Sequence, residues 1–443
     1  MTSGRERTYA RKRVGVIGGG VAGMATAWFL QEDHHVTLLE KEPRLGGHVE
    51  TIPINVGAAT VYAELGPRFF FNPSYPYFLG LLRLLGVRTH WNDAVVSVTN
   101  VPQSRTVVLP PRSVRQVAAL VRSPRTIRHL WSLRRLVGEQ PEVVARRDFA
   151  IPFHQYLTDR GYPATFGPDF VYPFLAACWG CSVGELAEFP AYSLLKGMPP
   201  GDKAGFYEIE GGVASYIATF ARELGGVRVC VGAGARAIAR EANGEIIVDD
   251  ERGERHRFDE LVVATSSFHA ADLLRGLPAA TAIQAAIAGF RQFETEIVVH
   301  GDASFMPKNR GDWAHNNLFF GGDVTWMTDW QGLRANAPVF RTWLPKGAKR
   351  PDPTYGRRSF RHLIMTPENG VLQRQVAAHQ GAGGVWACGM YTADVDNHES
   401  ALLSAVVPAR ALAPQSRNLA RFLGAVDAAS AAHGIDVLPA AAP

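Results

Sequence analysis

Cysteine is scarce in this chain. Four residues, Cys178, Cys181, Cys230 and Cys388, among 443 cannot staple a fold of that length, so a reducing, cytoplasmic setting is expected. No run of about 18 uninterrupted apolar residues occurs, which leaves no candidate for a membrane-spanning helix. Charge of one sign is also lacking: 46 Lys and Arg against 41 Asp and Glu leave +5, and no basic and aromatic reading motif points to a nucleic acid partner. Paired carboxylates, a Ser-His-Asp set and metal-ligand spacings are missing. The single Cys178-Trp179-Gly180-Cys181 has neither a second pair for zinc nor the strand context of a redox motif, so it reads as buried packing and no metal is expected. What remains is ordinary globular composition, 47% apolar and 20% charged, in a chain long enough for two or three units at about 150 residues each.

The N-terminus imitates a secretory leader. Arg5, Arg7, Arg11, Lys12 and Arg13 precede the apolar stretch from Val14 to Leu30. Gly18, Gly20 and Gly23 break that stretch where a leader needs a continuous helix, and a second apolar strand, Val36 to Leu39, follows, ending at Glu40. Strand, Gly-x-Gly-x-x-Gly, helix, strand and acid together predict a dinucleotide site. The first glycine allows the turn, the second admits pyrophosphate to the backbone, and the third lets helix pack on strand. Gly18, Gly20, Val21, Ala22 and Gly23 are therefore expected to meet the cofactor, and Glu40, 22 residues after Gly18, to bind a ribose hydroxyl pair with Lys41 beside it.

The next segment, Arg44-Leu45-Gly46-Gly47-His48, resembles the Arg-x-Gly-Gly signature of the FAD family that contains amine oxidases, phytoene desaturases and protoporphyrinogen oxidases. Glu64-Leu65-Gly66-Pro67-Arg68 is similar to the segment that passes the flavin ring in protoporphyrinogen oxidases. The resemblance continues at Val385 to Tyr391, a last strand ending in a glycine turn at Gly389, and at His398-Glu399-Ser400, which opens a helix Ala401 to Leu412 with Ser400 as its cap. Met390 and Ser404-Ala405 stand where the family commonly has Asp and Ser-Gly. Gly46-Gly47-His48, Met306-Pro307 with Trp313, and Cys388-Gly389 before Tyr391 also resemble a bacterial group of amine-oxidase-like FAD proteins, some of whose relatives are implied to act on modified fatty acyl chains.

The resemblance implies non-covalent FAD held by Gly18, Gly20, Val21, Ala22, Gly23, Glu40, Lys41, Arg44, Gly46, Gly47, His48, Gly66, Pro67, Arg68, Gly389, Glu399 and Ser400, with the backbone at Ala235 facing the adenine. The expected fold is α/β: a Rossmann-type FAD domain of the glutathione-reductase and amine-oxidase kind (residues 1–75, 205–275 and 381–435), an inserted α+β substrate domain (76–204 and 276–380) and a frayed tail (436–443). The expected activity is hydride abstraction from a hydrophobic small molecule, with desaturation of an acyl or polyketide-like chain favoured. Amine or tetrapyrrole oxidation, flavin-dependent isomerisation and a non-catalytic lipid carrier of the same fold are the alternatives. Tyr391, His398 and Glu399 are the candidate catalytic residues, His398 as a proton relay near neutral pH. Between Arg105 and Arg147 ten arginines face two acids, Glu139 and Glu142, in an apolar-interleaved stretch that suits peripheral association with an anionic membrane. Oligomeric state is left open.

Overall fold

The computed structural model describes residues 10–70, 74–93, 95–122, 124–198, 205–321, 324–344 and 347–431. The expected tail at 436–443, and Arg5 and Arg7, lie outside them. Five short apolar strands, β1 (Arg13–Ile17), β2 (His35–Leu39), β3 (Val227–Cys230), β4 (Glu260–Val263) and β5 (Val385–Ala387), form one parallel sheet in the order β5-β4-β1-β2-β3. Val16 of β1 lies opposite Val262 on one side and Leu38 on the other, and all three are buried. Strands covered on both faces read as continuous Val, Ile and Leu, as these do.

Helix α1 (Val21–Leu30) is buried at all ten positions and packs against the helix His398–Leu412. It can approach its own loop because position 23 is glycine: a Cβ there would sit 1.8 Å from the Gly18 carbonyl oxygen. Gly18 itself has φ +107°, a conformation L side chains rarely adopt.

A second sheet of seven strands runs in the order Thr354–Leu363, Gln292–His300, Phe340–Leu344, Val324–Trp330, Asn316–Gly321, Val96–Asn100 and Arg105–Leu109. Only the pair Asn316–Gly321 and Val96–Asn100 is parallel. The hairpin Thr51–Val56 with Ala59–Glu64 joins the two halves, burying Ile54, Val61 and Ala63 with Ile297, Val299 and Phe360 of the large sheet. Helix Tyr172–Trp179 lies on strands Asn316–Gly321 and Val324–Trp330. Cys178, near its end, has its thiol pushed up to about 12 by burial, and Cys181 is buried after the left-handed Gly180. Packing is the role the structure gives this pair.

Candidate active site

The phosphate loop is built to receive an anion. Helix α1 has no side-chain cap and no acid in its first turn, so its leading N–H groups at Val21 and Ala22 are left for a ligand. The nearest neighbour of a Cβ at Gly20 would be the Gly47 Cα at 3.9 Å, whereas a Cβ at Gly19 would strike Leu45 and Glu40. Open space therefore lies in front of Gly20. Opposite it, Gly47 holds φ +57° and Gly46 φ +115°, and the Gly46 N–H donates to the Gly19 carbonyl at 2.8 Å.

Glu40 closes the end of β2 with each carboxylate oxygen fixed by one backbone donor: Gly19 N–H at 2.5 Å and Glu42 N–H at 2.8 Å. Each oxygen retains a lone pair for a ribose hydroxyl. The segment after β3 crosses above this point, with Ala233 N–H donating to the Glu40 carbonyl and a Cβ at Gly234 meeting Lys41, which places Ala235 beside the same groove. These residues fit the nucleotide half of FAD.

Arg44 supports the loop and not the phosphates. It donates to the Val49 carbonyl at 2.7 Å and to Glu50 at 3.0 Å. Arg358, which the sequence reading missed, reaches from the large sheet to the same Glu50 and to the Gly47 carbonyl at 3.1 Å. Gly66 packs beneath His48, where a Cβ would lie 2.0 Å from the His48 carbonyl oxygen, and half-buried Pro67 follows it. Arg68 turns away from the glycine loop. Its guanidinium pairs with Glu208 at 2.7 Å and stacks on Phe69, because burial there demands a carboxylate partner.

Four partly buried side chains lie where burial shifts their titration. Burial lowers the pKa of His48 and His398 and raises that of Tyr75 and Cys178. It brings His48 and His398 down to about 4 and about 3, with the nearby His362 adding to the first effect and His48 to the second. His398 Nε2 meets the Tyr216 hydroxyl at 2.6 Å, with the Phe78 ring edge-on at 4.6 Å. The structure thus shows His398 as a partly buried, neutral imidazole bound to Tyr216 and packed on Phe78.

Two more expectations change. The Glu399 carboxylate accepts the Tyr77 and Phe78 N–H groups at 2.6 and 2.8 Å, capping helix α2 (Pro76–Leu84) instead of facing a reacting bond. The Tyr391 hydroxyl is sealed from solvent without a partner, and its ring packs on Phe290 in the core. Helix α3 (His398–Leu412) begins three residues before Ala401, and its cap is Asn397, which accepts from the Ser400 N–H at 2.8 Å and from the Ser400 hydroxyl at 2.9 Å. Gly389, at φ +146°, donates its N–H to Ser404 at 2.8 Å and holds the turn after β5.

A histidine that the sequence reading did not single out, His362, lies on strand Thr354–Leu363. Alternate residues Arg358, Phe360 and His362 share one face. Arg358 holds Gly47, Phe360 packs edge-on to His48 at 5.0 Å, and the His362 ring is 6.4 Å from the His48 ring. His362 Nδ1 is paired with Asp396 at 3.3 Å, and Asp396 is anchored by the Leu363 N–H at 3.0 Å. Trp343 and Phe293 stand 5.6 and 5.8 Å from the His362 ring. Among the described residues the trio Asp250, Glu254 and His256 also gathers, but Arg252 and hydrogen bonds within that turn account for its charges.

A parallel sheet carrying this loop, joined to a large mixed sheet laid over it, defines a two-domain dinucleotide-binding oxidoreductase. The sequence model of the family described as flavin containing amine oxidoreductase matches residues 21–300. The chain belongs to that family, and it is an FAD-dependent oxidoreductase. No curated protein matches the sequence. Among solved structures, the chain is similar to a CLA-producing fatty acid isomerase from P. acnes, with 14% identity, TM-score 0.64, and 89% of this chain and 97% of that one covered. A protein assigned as a protoporphyrinogen oxidase from Exiguobacterium sp. 255-15 gives 14%, 0.60, 91% and 99%. A putrescine oxidase bound to putrescine gives 13%, 0.59, 91% and 99%. At these identities the likeness concerns the fold.

Proposed function

We propose that this enzyme dehydrogenates a neutral, hydrophobic chain, converting a saturated carbon–carbon bond to a double bond. The observation that carries the reading is the wall opposite the glycine loop. It is made of Trp343, Phe360 and Phe293, whose rings gather around His362, and Asp396 binds His362 and the Leu363 N–H through one carboxylate oxygen, Oδ2. An apolar chain would shed water against these three rings.

Bound FAD supplies a hydride acceptor. The protein's part is to bind the chain dry, orient it, and take the second hydrogen as a proton, for which His362 steadied by Asp396 is the candidate base. The test is anaerobic bleaching of the flavin by a panel of acyl chains and amines, with the product mass read for loss of two hydrogens. His362→Ala is expected to keep FAD and slow bleaching by about 10²–10⁴-fold. Bleaching by amines alone, or a shifted double bond with no change in mass, would replace this reading with amine oxidation or isomerisation.

A further inference from the structure

The two arginine-rich helices present a face that the active site does not use. In helix Val114–Val121 the residues Val114, Val117 and Val121 form one stripe, and they are 87%, 46% and 62% exposed. In helix Pro124–Arg146 the inner side buries Leu136, Gln140 and Val143, while Trp131 stands 68% exposed with Arg128, Arg134 and Arg135 one turn away on either side. Bulky apolar groups aligned in this way on a surface mark something that covers them.

The charge around them is positive. Glu139 and Glu142 are taken up by Arg135, Tyr156, Tyr162, Arg146 and Arg160, and Asp312 and Asp169 hold Arg115 and Arg125. Arg122, Arg128 and Arg134 are exposed and have no acidic partner among the described residues. Beside the start of the valine stripe opens a cavity of about 410 Å³ lined by Arg112, Arg115, Arg310, Ser113 and Asn309. Arg310 lies over the rings of Trp313 and Trp330, so the guanidinium is held in place.

We propose that this face docks in the plane of an anionic phospholipid bilayer, with the valines and Trp131 entering the headgroup boundary, the unpaired arginines on lipid phosphates and one headgroup in the cavity. Charge complementarity selects an anionic surface, and the apolar stripe selects a lipid one, since a nucleic acid offers valine nothing. No helix among the described residues is long and apolar enough to cross a membrane, so the contact is in-plane.

The holoenzyme should sediment with vesicles containing phosphatidylglycerol but not with pure phosphatidylcholine, and added salt should release it. Each arginine at such a surface strengthens binding about 5-fold, so the triple variant Arg122→Glu, Arg128→Glu, Arg134→Glu should bind at least a hundredfold more weakly while retaining its flavin. Brominated lipid should quench part of the tryptophan emission, and Trp131→Phe should remove that part while leaving sedimentation intact. Equal binding to neutral vesicles, no binding, an unaffected triple variant, or duplex DNA binding in place of vesicles would each overturn the proposal.

Discussion

Glu399 offers the sharpest test of the site, because a cap and a catalyst respond differently to its removal. The carboxylate holds two first-turn N–H groups of helix α2, whose own N-cap residue, Tyr75, gives no side-chain cap. Glu399→Ala leaves both donors buried and unpaired at about 1–3 kcal/mol each and empties the side-chain volume, a total of about 3–5 kcal/mol. That is a large share of a net stability of about 5–15 kcal/mol. Glu399→Gln keeps one acceptor and sets an NH₂ against the other N–H, for about 1–3 kcal/mol. Burial also pushes the carboxyl up from 4.5 to about 8. The folded chain therefore holds a proton that the unfolded chain releases, so this contribution is complete below pH 4.5 and lost as pH rises to about 8. Denaturant midpoints of wild type and Glu399→Gln measured side by side should show the wild type losing stability relative to the variant as pH rises across that range. The glutamine variant should keep its FAD and its rate of anaerobic reduction within about tenfold, against the 10²–10⁴-fold loss expected of a proton-transfer group. A variant as stable as wild type but crippled in reduction would refute the capping assignment.

Gly20→Val should abolish FAD retention, read as the ratio of flavin to protein absorbance, because the side chain would fill the opening in front of Gly47. His398→Ala should lower the unfolding free energy from denaturant titration by about 2–4 kcal/mol through a lost buried ring and an unpaired Tyr216 hydroxyl, and leave the pH profile of reduction unchanged. His48, His300 and His315 are all brought down to about 4 by burial, so the unfolded chain takes up protons first and stability should drop between pH 6.5 and about 4; a flat thermal midpoint over that range would contradict their burial.

What could be read from the sequence was what backbone geometry demands locally. Gly18, Gly20, Gly23 and Gly46-Gly47 serve turns and close approaches within a few residues of themselves, and Glu40 is fixed by donors on its own two loops. Contacts closed through the tertiary fold left no such mark. Glu399 caps a helix more than 300 residues upstream, and His362 meets Asp396 only because the large sheet is laid beside the turn after β5. The stretch Arg357 to His362 hides its alternation, since Arg358, Phe360 and His362 mix charge with an aromatic on the inward face. Asn397 was passed over because Ser400, the residue whose N–H it accepts, is itself a common cap. The arginine-rich helix runs through Gly138 and Pro141, where local propensity alone would stop it. It continues to Arg146 because Gln140 donates to the Leu195 and Met198 carbonyls and Val143 is buried, and this packing outweighs poor local propensity.

The clamp at Glu50 bears on how this enzyme can be re-engineered. Arg44 from the cofactor half and Arg358 from the large sheet share that one carboxylate, and Arg358 also takes the Gly47 carbonyl. The Gly46-Gly47 loop is thus fastened by both halves of the protein. Grafting a relative's large sheet to change specificity would cut one of the two fastenings, and the graft would shed its cofactor before any new preference could be measured. Arg44, Glu50 and Arg358 have to be transplanted as a unit.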